Sequence, residues 1–274
     1  MNTVRVMSKN AAYQRFEVLR TNRNKRYRYG EFLVEGVRNI NQAIRNGWQF
    51  TGLLYSPETP LSRWAQEVLD TVSCDTHYQL SSNLMQELSG KTDTSELLAI
   101  LRMRPDDPAL LHDSPCPLYI LFDRPSNHGN LGSIIRSADA LGADGLILTG
   151  HGVDLYQPEV ITASMGSFFN LPAIRMADND TVFDWIARQR DLHPGFQVIG
   201  TTAHKQLNIT QVDFRPPTLL MIGNETEGLC RAFKEGCDLL ATIPMADTSS
   251  ASSFNVACAA TVMMYEVCRQ RAQE

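Results

Sequence analysis

From residue 118 onward the chain alternates short, nearly unbroken apolar runs with stretches of helical periodicity, and this pattern constrains the fold more than any other feature. The apolar runs cover 118–122, 145–149, 196–200, 218–222 and 239–243. Apolar residues at helical spacing predict helices over 133–141, 159–169, 182–190, 229–236 and 253–270. A strand that is apolar on both faces has to be covered on both. The pattern therefore predicts an α/β domain, a parallel sheet with helices on both faces. Ligands of such sheets bind beyond the carboxyl ends of the strands, so chemistry is expected in the loops that follow the apolar runs.

A smaller α/β unit comes first, with strands predicted at 32–34, 50–55 and 97–101 and helices at 38–46 and 62–72. Residues 102–117 contain four prolines, a density that neither a helix nor a central strand tolerates, and read as a linker. With 274 residues, one large domain or two ordinary ones are expected. The organisation read from these signals is an arm at 1–28, a small domain at 29–104, a linker at 105–117 and a larger domain at 118–274.

Charge separates the two ends of the chain. The net charge of -5 argues on average against a polyanionic partner. Yet residues 1–50 carry ten Lys or Arg and three Glu, so this fifth of the chain is strongly basic and the remainder strongly acidic. The densest run, residues 20–29, interleaves cations with Tyr27 and Tyr29, which suits phosphate contact beside base stacking. Arg20, Arg23, Lys25, Arg26 and Arg28, followed by Arg38, are the candidate nucleic-acid contacts. A solvated helix end is the competing reading of the same residues.

Several classes are disfavoured. The six cysteines form no C-x-x-C pair and no histidine stands at zinc-finger spacing, so reduced thiols and no metal are expected. No window of eighteen apolar residues occurs, and the first residues lack the apolar core of a secretory signal, so a cytoplasmic protein without a membrane span is expected. The glycine-rich fingerprints of nicotinamide enzymes, P-loop ATPases and α/β-hydrolases are absent.

Three loops carry the remaining signal. After 118–122 come Asn130, Gly132 and Arg136 in the pattern N-x-G-x-x-x-R. Here the asparagine is expected at a helix cap, and the arginine offers a planar fork for phosphate. After 218–222, Gly223 and Gly228 bracket Glu225 and Glu227, which lets the backbone turn sharply and approach a ligand. After 239–243, Ser253 and Asn255 stand before the final long helix, where capping is their simplest role.

Taken in this order, N-x-G-x-x-x-R, then G-x-E-x-x-G-L at 223–229, then I-P-M with S-x-N-V at 243–256, the chain resembles the SpoU (TrmH-like) RNA ribose 2′-O-methyltransferases of the SPOUT superfamily. The likeness spans about residues 118–271. Residues 32–38 also look like the start of that family's N-terminal substrate-binding domain, which resembles kink-turn-binding ribosomal proteins. The resemblance implies a C-terminal trefoil knot, S-adenosylmethionine as cofactor, an RNA substrate and a homodimer. By the family pattern, Gly223, Ile243 and Phe254 fall at methyl-donor contacts, and Arg136, Asn130, Glu225, Ser253 and Asn255 at positions of catalysis or RNA positioning. Two departures stand out: Phe254 replaces the family's usual leucine, and the stretch 245–253 is about two residues longer than common. The family assigns Arg136 the role of base. Arginine is a poor proton acceptor at neutral pH, so a clamp on the target phosphate is the expected role and the base its rival. Ribosomal RNA is the expected target. Transfer RNA and a non-catalytic RNA-binding role in ribosome assembly are the alternatives.

Overall fold

The computed structural model describes residues 2–90, 93–204 and 206–272, which divide into two compact units. The first comprises residues up to Arg104 together with Asp154–Asn170. Its elements are β1 (Asn2–Val6), α1 (Ala11–Thr21), α2 (Arg23–Tyr29), β2 (Glu31–Glu35), α3 (Val37–Arg45), β3 (Phe50–Tyr55), α4 (Arg63–Thr71), β4 (Thr76–Leu80), α5 (Ser82–Leu88) and β5 (Leu97–Arg102). The five strands form one mixed sheet in the order β1-β4-β3-β5-β2, parallel across β1, β4 and β3 and antiparallel at both edges of β5. Because side chains alternate across a strand, Leu33, Leu54, Leu98 and Ile100 face Tyr13, Phe16 and Leu19 of α1 in a common core.

The first 28 residues are not a free arm. β1 pairs in register with β4, and Asn10 caps α1 by accepting from the amides of Ala12 and Tyr13. Asn22 then caps α2, which stops at Gly30 in the left-handed conformation, φ 64°. The basic run is thus two consecutive capped helices held by an apolar face. Arg26 also departs from the sequence expectation. It was expected on an RNA-binding surface, but its side chain is fully buried. Its guanidinium pairs with Asp154 at 2.6 Å, donates to the carbonyls of Leu19 and Arg20 at 3.0 Å, and reaches Gln157. A cation that far from water is a structural crosslink.

The second unit comprises Pro105–Val153 and residues from Leu171 onward. In chain order it holds β6 (Leu118–Asp123), α6 (His128–Ala140), β7 (Gly145–Thr149), β8 (Ala173–Met176), α8 (Asn179–Leu192), β9 (Gln197–Thr201), β10 (Leu207–Asn208), β11 (Thr218–Ile222), α9 (Arg231–Gly236), β12 (Leu239–Thr242) and α10 (Val256–Arg271). The intervening α7 (Pro158–Ala163) belongs to the first unit, so the larger domain is not continuous over 118–274. The helix expected over 159–169 is α7 followed by a separate 3-10 turn at Ser167–Phe169, with Gly166 in the left-handed region between them.

All seven strands of this unit are parallel, in the order β10-β12-β9-β11-β6-β7-β8. β6, β7 and β11 are buried along their whole length, as unbroken apolar runs require. β12 is inserted between β9 and β10, and the chain then returns to lay α10 against α6. There the hydroxyls of Ser137 and Thr261 lie 2.7 Å apart, and the Cys268 thiol donates to the Leu141 carbonyl. The insertion makes β12, β9 and β11 neighbours, so their carboxyl ends lie side by side at one end of the parallel sheet. None of the described helices is long and apolar enough to cross a membrane.

Candidate active site

The loop after β6 enters α6 through Asn127, whose side chain accepts from the amide of Asn130 at 2.9 Å. The cap is therefore Asn127 and not Asn130, as the sequence suggested. This frees the Asn130 side chain from the helix end. Its Nδ2 donates to Glu225 Oε1 at 3.2 Å, and its Oδ1 accepts from Asn255 Nδ2 at 3.1 Å. Asn255 is itself the cap of α10, its Oδ1 accepting from the amides of Ala257 and Cys258. One carboxylate, two amides and two helix starts thus form a continuous chain linking all three loops.

Glu225 anchors this chain. Its Oε2 accepts from the Ser126 amide at 3.0 Å and hydroxyl at 2.6 Å, and its Oε1 also accepts from the Asn127 amide. Partial burial pushes the carboxyl pKa up, but the hydrogen bonds from Ser126, its own backbone and Asn130 outweigh that, and the net shift is downward. The group is an ionised acceptor at neutral pH.

Gly223 has to be glycine because of what lies against it. A Cβ there would stand 2.2 Å from the amide nitrogen of Leu229 and 2.3 Å from the carbonyl carbon of Gly228. The loop folds back onto its own start, closed by mutual hydrogen bonds between Asn224 and Gly228. Gly228 turns it at φ 69°.

Beside this loop lies a cavity of about 300 Å³. Gly223, Glu225, Ile243, Ser253 and Phe254 line it, so these five predicted residues share one wall system. Asn130 and Asn255 stand outside the lining and connect to it through Glu225. Arg136, exposed on α6, is not part of the lining. The sequence did not single out Thr201 to His204, Lys234 or Met263, which also line the cavity. Thr201 ends β9 and Thr202 to His204 follow it, so the loop-after-strand rule was the signal available for them.

The cavity volume is at the lower end of small-molecule sites, and its lining combines apolar Ile222, Ile243 and Met263 with hydroxyls and loop backbone. Apolar side chains beside hydroxyls and backbone groups fit S-adenosylmethionine, the donor that the resemblance implies. Among the described residues no group of three or more His, Cys, Asp or Glu is placed to hold a metal ion.

The Arg20 side chain donates to the carbonyls of Glu87 and Leu88, and Arg23 lies 5.6 Å from the centre of the Tyr27 ring. Arg28 and Arg38 are exposed and Lys25 is half-buried.

Comparison with known proteins identifies the family. The model described as the SpoU rRNA Methylase family matches residues 117–265, and that of the SpoU L30e-like domain matches residues 10–99. A 23S rRNA (uridine(2479)-2′-O)-methyltransferase of Streptomyces viridochromogenes is 45% identical over 268 residues, covering 97% of this chain and 92% of the relative. The crystal structure of the SpoU methyltransferase AviRb from the same organism, in complex with AdoMet, superposes with a TM-score of 0.90 at 45% identity, over 96% of this chain and 98% of that one. An AdoMet-bound rRNA methyltransferase from Sinorhizobium meliloti superposes with a TM-score of 0.84 at 28% identity, over 97% and 98% of the two chains. With a matched methylase domain, a matched L30e-like domain and a full-length relative, the chain belongs to the SpoU rRNA methylase family.

Proposed function

We propose that this protein transfers a methyl group from S-adenosylmethionine to a ribose 2′-hydroxyl of ribosomal RNA, in the cytoplasm and as a homodimer. The observation that carries the proposal is the Glu225–Asn130–Asn255 chain beside the Gly223–Leu229 cavity, since it fixes a polar apparatus at the mouth of a site fitted to the donor. The rRNA 2′-O-methyltransferase relative supports the choice of target.

Gly223, Ile243 and Phe254 hold the donor against the loop backbone. When bound, the donor supplies an electron-poor methyl carbon. The protein's task is to align the 2′-oxygen with that carbon, and alignment alone can lower a barrier by roughly 7–11 kcal/mol in favourable cases. Asn130 is clamped by Glu225 on one side and Asn255 on the other, so its amide has one defined orientation toward the substrate. Ser253 adds a hydroxyl to the cavity wall. Arg136 clamps the target phosphate with its planar fork, and the hydroxyl proton leaves late to water. Lys25, Arg28 and Arg38 hold RNA through phosphate on the first unit. The inserted β12 and the return of α10 form the trefoil knot. The α10 stripe of Cys258, Val262 and Tyr265, with Val262 41% and Tyr265 58% exposed, pairs with a second copy.

Isothermal titration with S-adenosylmethionine tests the cofactor, and absence of binding by the folded protein would contradict an enzymatic role. Ribose methylation mapped in total RNA with and without the gene tests the target, and a lost mark in tRNA alone would overturn the rRNA assignment. Arg136→Lys, which keeps the charge and loses the fork, should retain almost no turnover, whereas turnover in Arg136→Ala equal to wild type would remove Arg136 from the mechanism. Sedimentation equilibrium with Tyr265→Glu tests the dimer, which the charge should split.

A further inference from the structure

Arg124 has a backbone conformation that few residues adopt without cause. Its φ is 50°, one of two positive values outside glycine among the described residues. Such a residue persists only where its surroundings over-determine it, and it points to a local function. Its neighbours make room for it. A Cβ on Gly150 would stand 2.5 Å from Arg124 Cγ, and one on Gly152 would stand 2.7 Å from the Pro125 carbonyl oxygen.

The side chain so placed reaches across to the loop that lines the cavity. Its Nη2 donates to the Gly228 carbonyl at 3.0 Å, and its Nη1 pairs with Glu227. The Arg124 carbonyl accepts from Asn224 Nδ2 at 2.7 Å. Arg124 therefore holds both ends of the turn that carries Glu225. Behind it, buried Asp123 accepts from Arg124 Nε at 3.1 Å, from the Cys230 amide at 2.8 Å and from the Thr149 hydroxyl at 3.0 Å. Asp123 thus fixes the guanidinium and the exit of the same loop together.

The two loops are stitched reciprocally: Glu225 reaches from the second loop to residues 126–130 of the first, and Arg124 reaches from the first to residues 224–228 of the second. The Gly228 carbonyl that Arg124 holds belongs to the peptide that packs on Gly223 Cα. We infer that Arg124, backed by Asp123, is a positioning residue for methyl transfer that sets the donor-facing backbone at 223–229 and, through it, the carboxylate of Glu225. The inference rests on the donor site proposed above and extends it to Arg124 and Asp123, which do not line the cavity.

The test measures donor affinity by titration and kcat and KM for RNA in wild type, Arg124→Ala, Arg124→Lys, Glu225→Gln, Glu227→Gln and the double variant Arg124→Ala/Glu225→Gln, with urea midpoints for each. Arg124→Ala should weaken donor binding and lower kcat by about ten-fold or more each, the scale of losing hydrogen bonds to a charged group, with KM for RNA changed less than two-fold. Arg124→Lys, which keeps the charge and loses the fork, should recover only part. Glu227→Gln, whose side chain is 68% exposed, leaves the fold intact and should give a small loss of the same kind. The double variant should be less impaired than the product of the single effects, because both residues fix one loop. A fall in urea midpoint with donor affinity and kcat unchanged would make Arg124 merely structural and overturn the inference. Strictly multiplicative effects with Glu225 would overturn it as well. If wild type itself fails to bind the donor, the donor site falls and this inference with it; if wild type binds and Arg124→Ala binds equally well, only this inference falls.

Discussion

The burial of Arg26 makes a prediction opposite to the one its neighbours in sequence suggest. Arg26→Ala removes a cation whose partner, the Asp154 side chain, is only 3% exposed, and it also strips the carbonyls of Leu19 and Arg20 of their donors. Breaking a buried pair by deleting one partner costs about 3–5 kcal/mol, because the other charge is left without compensation. In a unit of this size that corresponds to a fall in Tm on the order of 10–20 °C. Urea unfolding followed by tryptophan fluorescence reports it, since Trp48 packs in the same unit and donates from Nε1 to the Phe169 carbonyl. Arg26→Met combined with Asp154→Asn should recover much of the loss by removing both charges while keeping an acceptor for the Tyr156 amide, 3.1 Å away. The contrast is Arg28→Ala, on the exposed side of the same helix. It should leave the urea midpoint unchanged and reduce the slope of log K against log salt for RNA by about 1. A normal midpoint for Arg26→Ala together with a reduced salt slope would refute the reasoning.

Two further predictions concern the second unit. Gly223→Ala sets a methyl against the backbone of Gly228 and Leu229, where no side chain can swing away, so the loop has to move; donor affinity by titration should fall by more than ten-fold, on the ~1–3 kcal/mol scale of overpacking. Glu225, its pKa depressed in the folded state, stabilises the loops fully above the ordinary glutamate value of 4.5, and this contribution is lost as pH falls through the folded value. The gap in urea midpoint between wild type and Glu225→Gln should therefore be constant near neutrality and close below pH 4.5, and a gap that widens in acid would refute the assignment.

The sheet of the second unit was legible because strands buried on both faces have little choice of composition. β6, β7, β9, β11 and β12 lie within a residue or two of the apolar runs. β1, β4 and β8, with sequences NTVRV, THYQL and AIRM, went unread because polar residues interrupt them. β1 and β8 are edge strands, where one side needs no cover. Asn127 and Asn130 are three residues apart before one helix, and propensity alone does not say which caps it. Arg26 looked like its neighbours because its partner lies 128 positions away, and no local signal marks such a crosslink. Glu225, Asn130 and Asn255 could be named from spacing, but the hydrogen bonds that join them exist only once the sheet places their loops together. Arg124 lies within a loop already singled out, and only its φ and its reach to Gly228 distinguish it.

The insertion of β12 between β9 and β10 also orders events during synthesis. The cavity takes walls from residues 201–204, 222–229, 242–245 and 252–263, and the cap of the last helix, Asn255, is the far end of the polar chain. A nascent chain lacking α10 has neither that anchor nor the Met263 wall. Donor affinity thus requires α10 to be in place, and ribosome-bound fragments ending before residue 256 should retain no S-adenosylmethionine. An enzyme built this way has no working site until the ribosome has passed the codons of its α10.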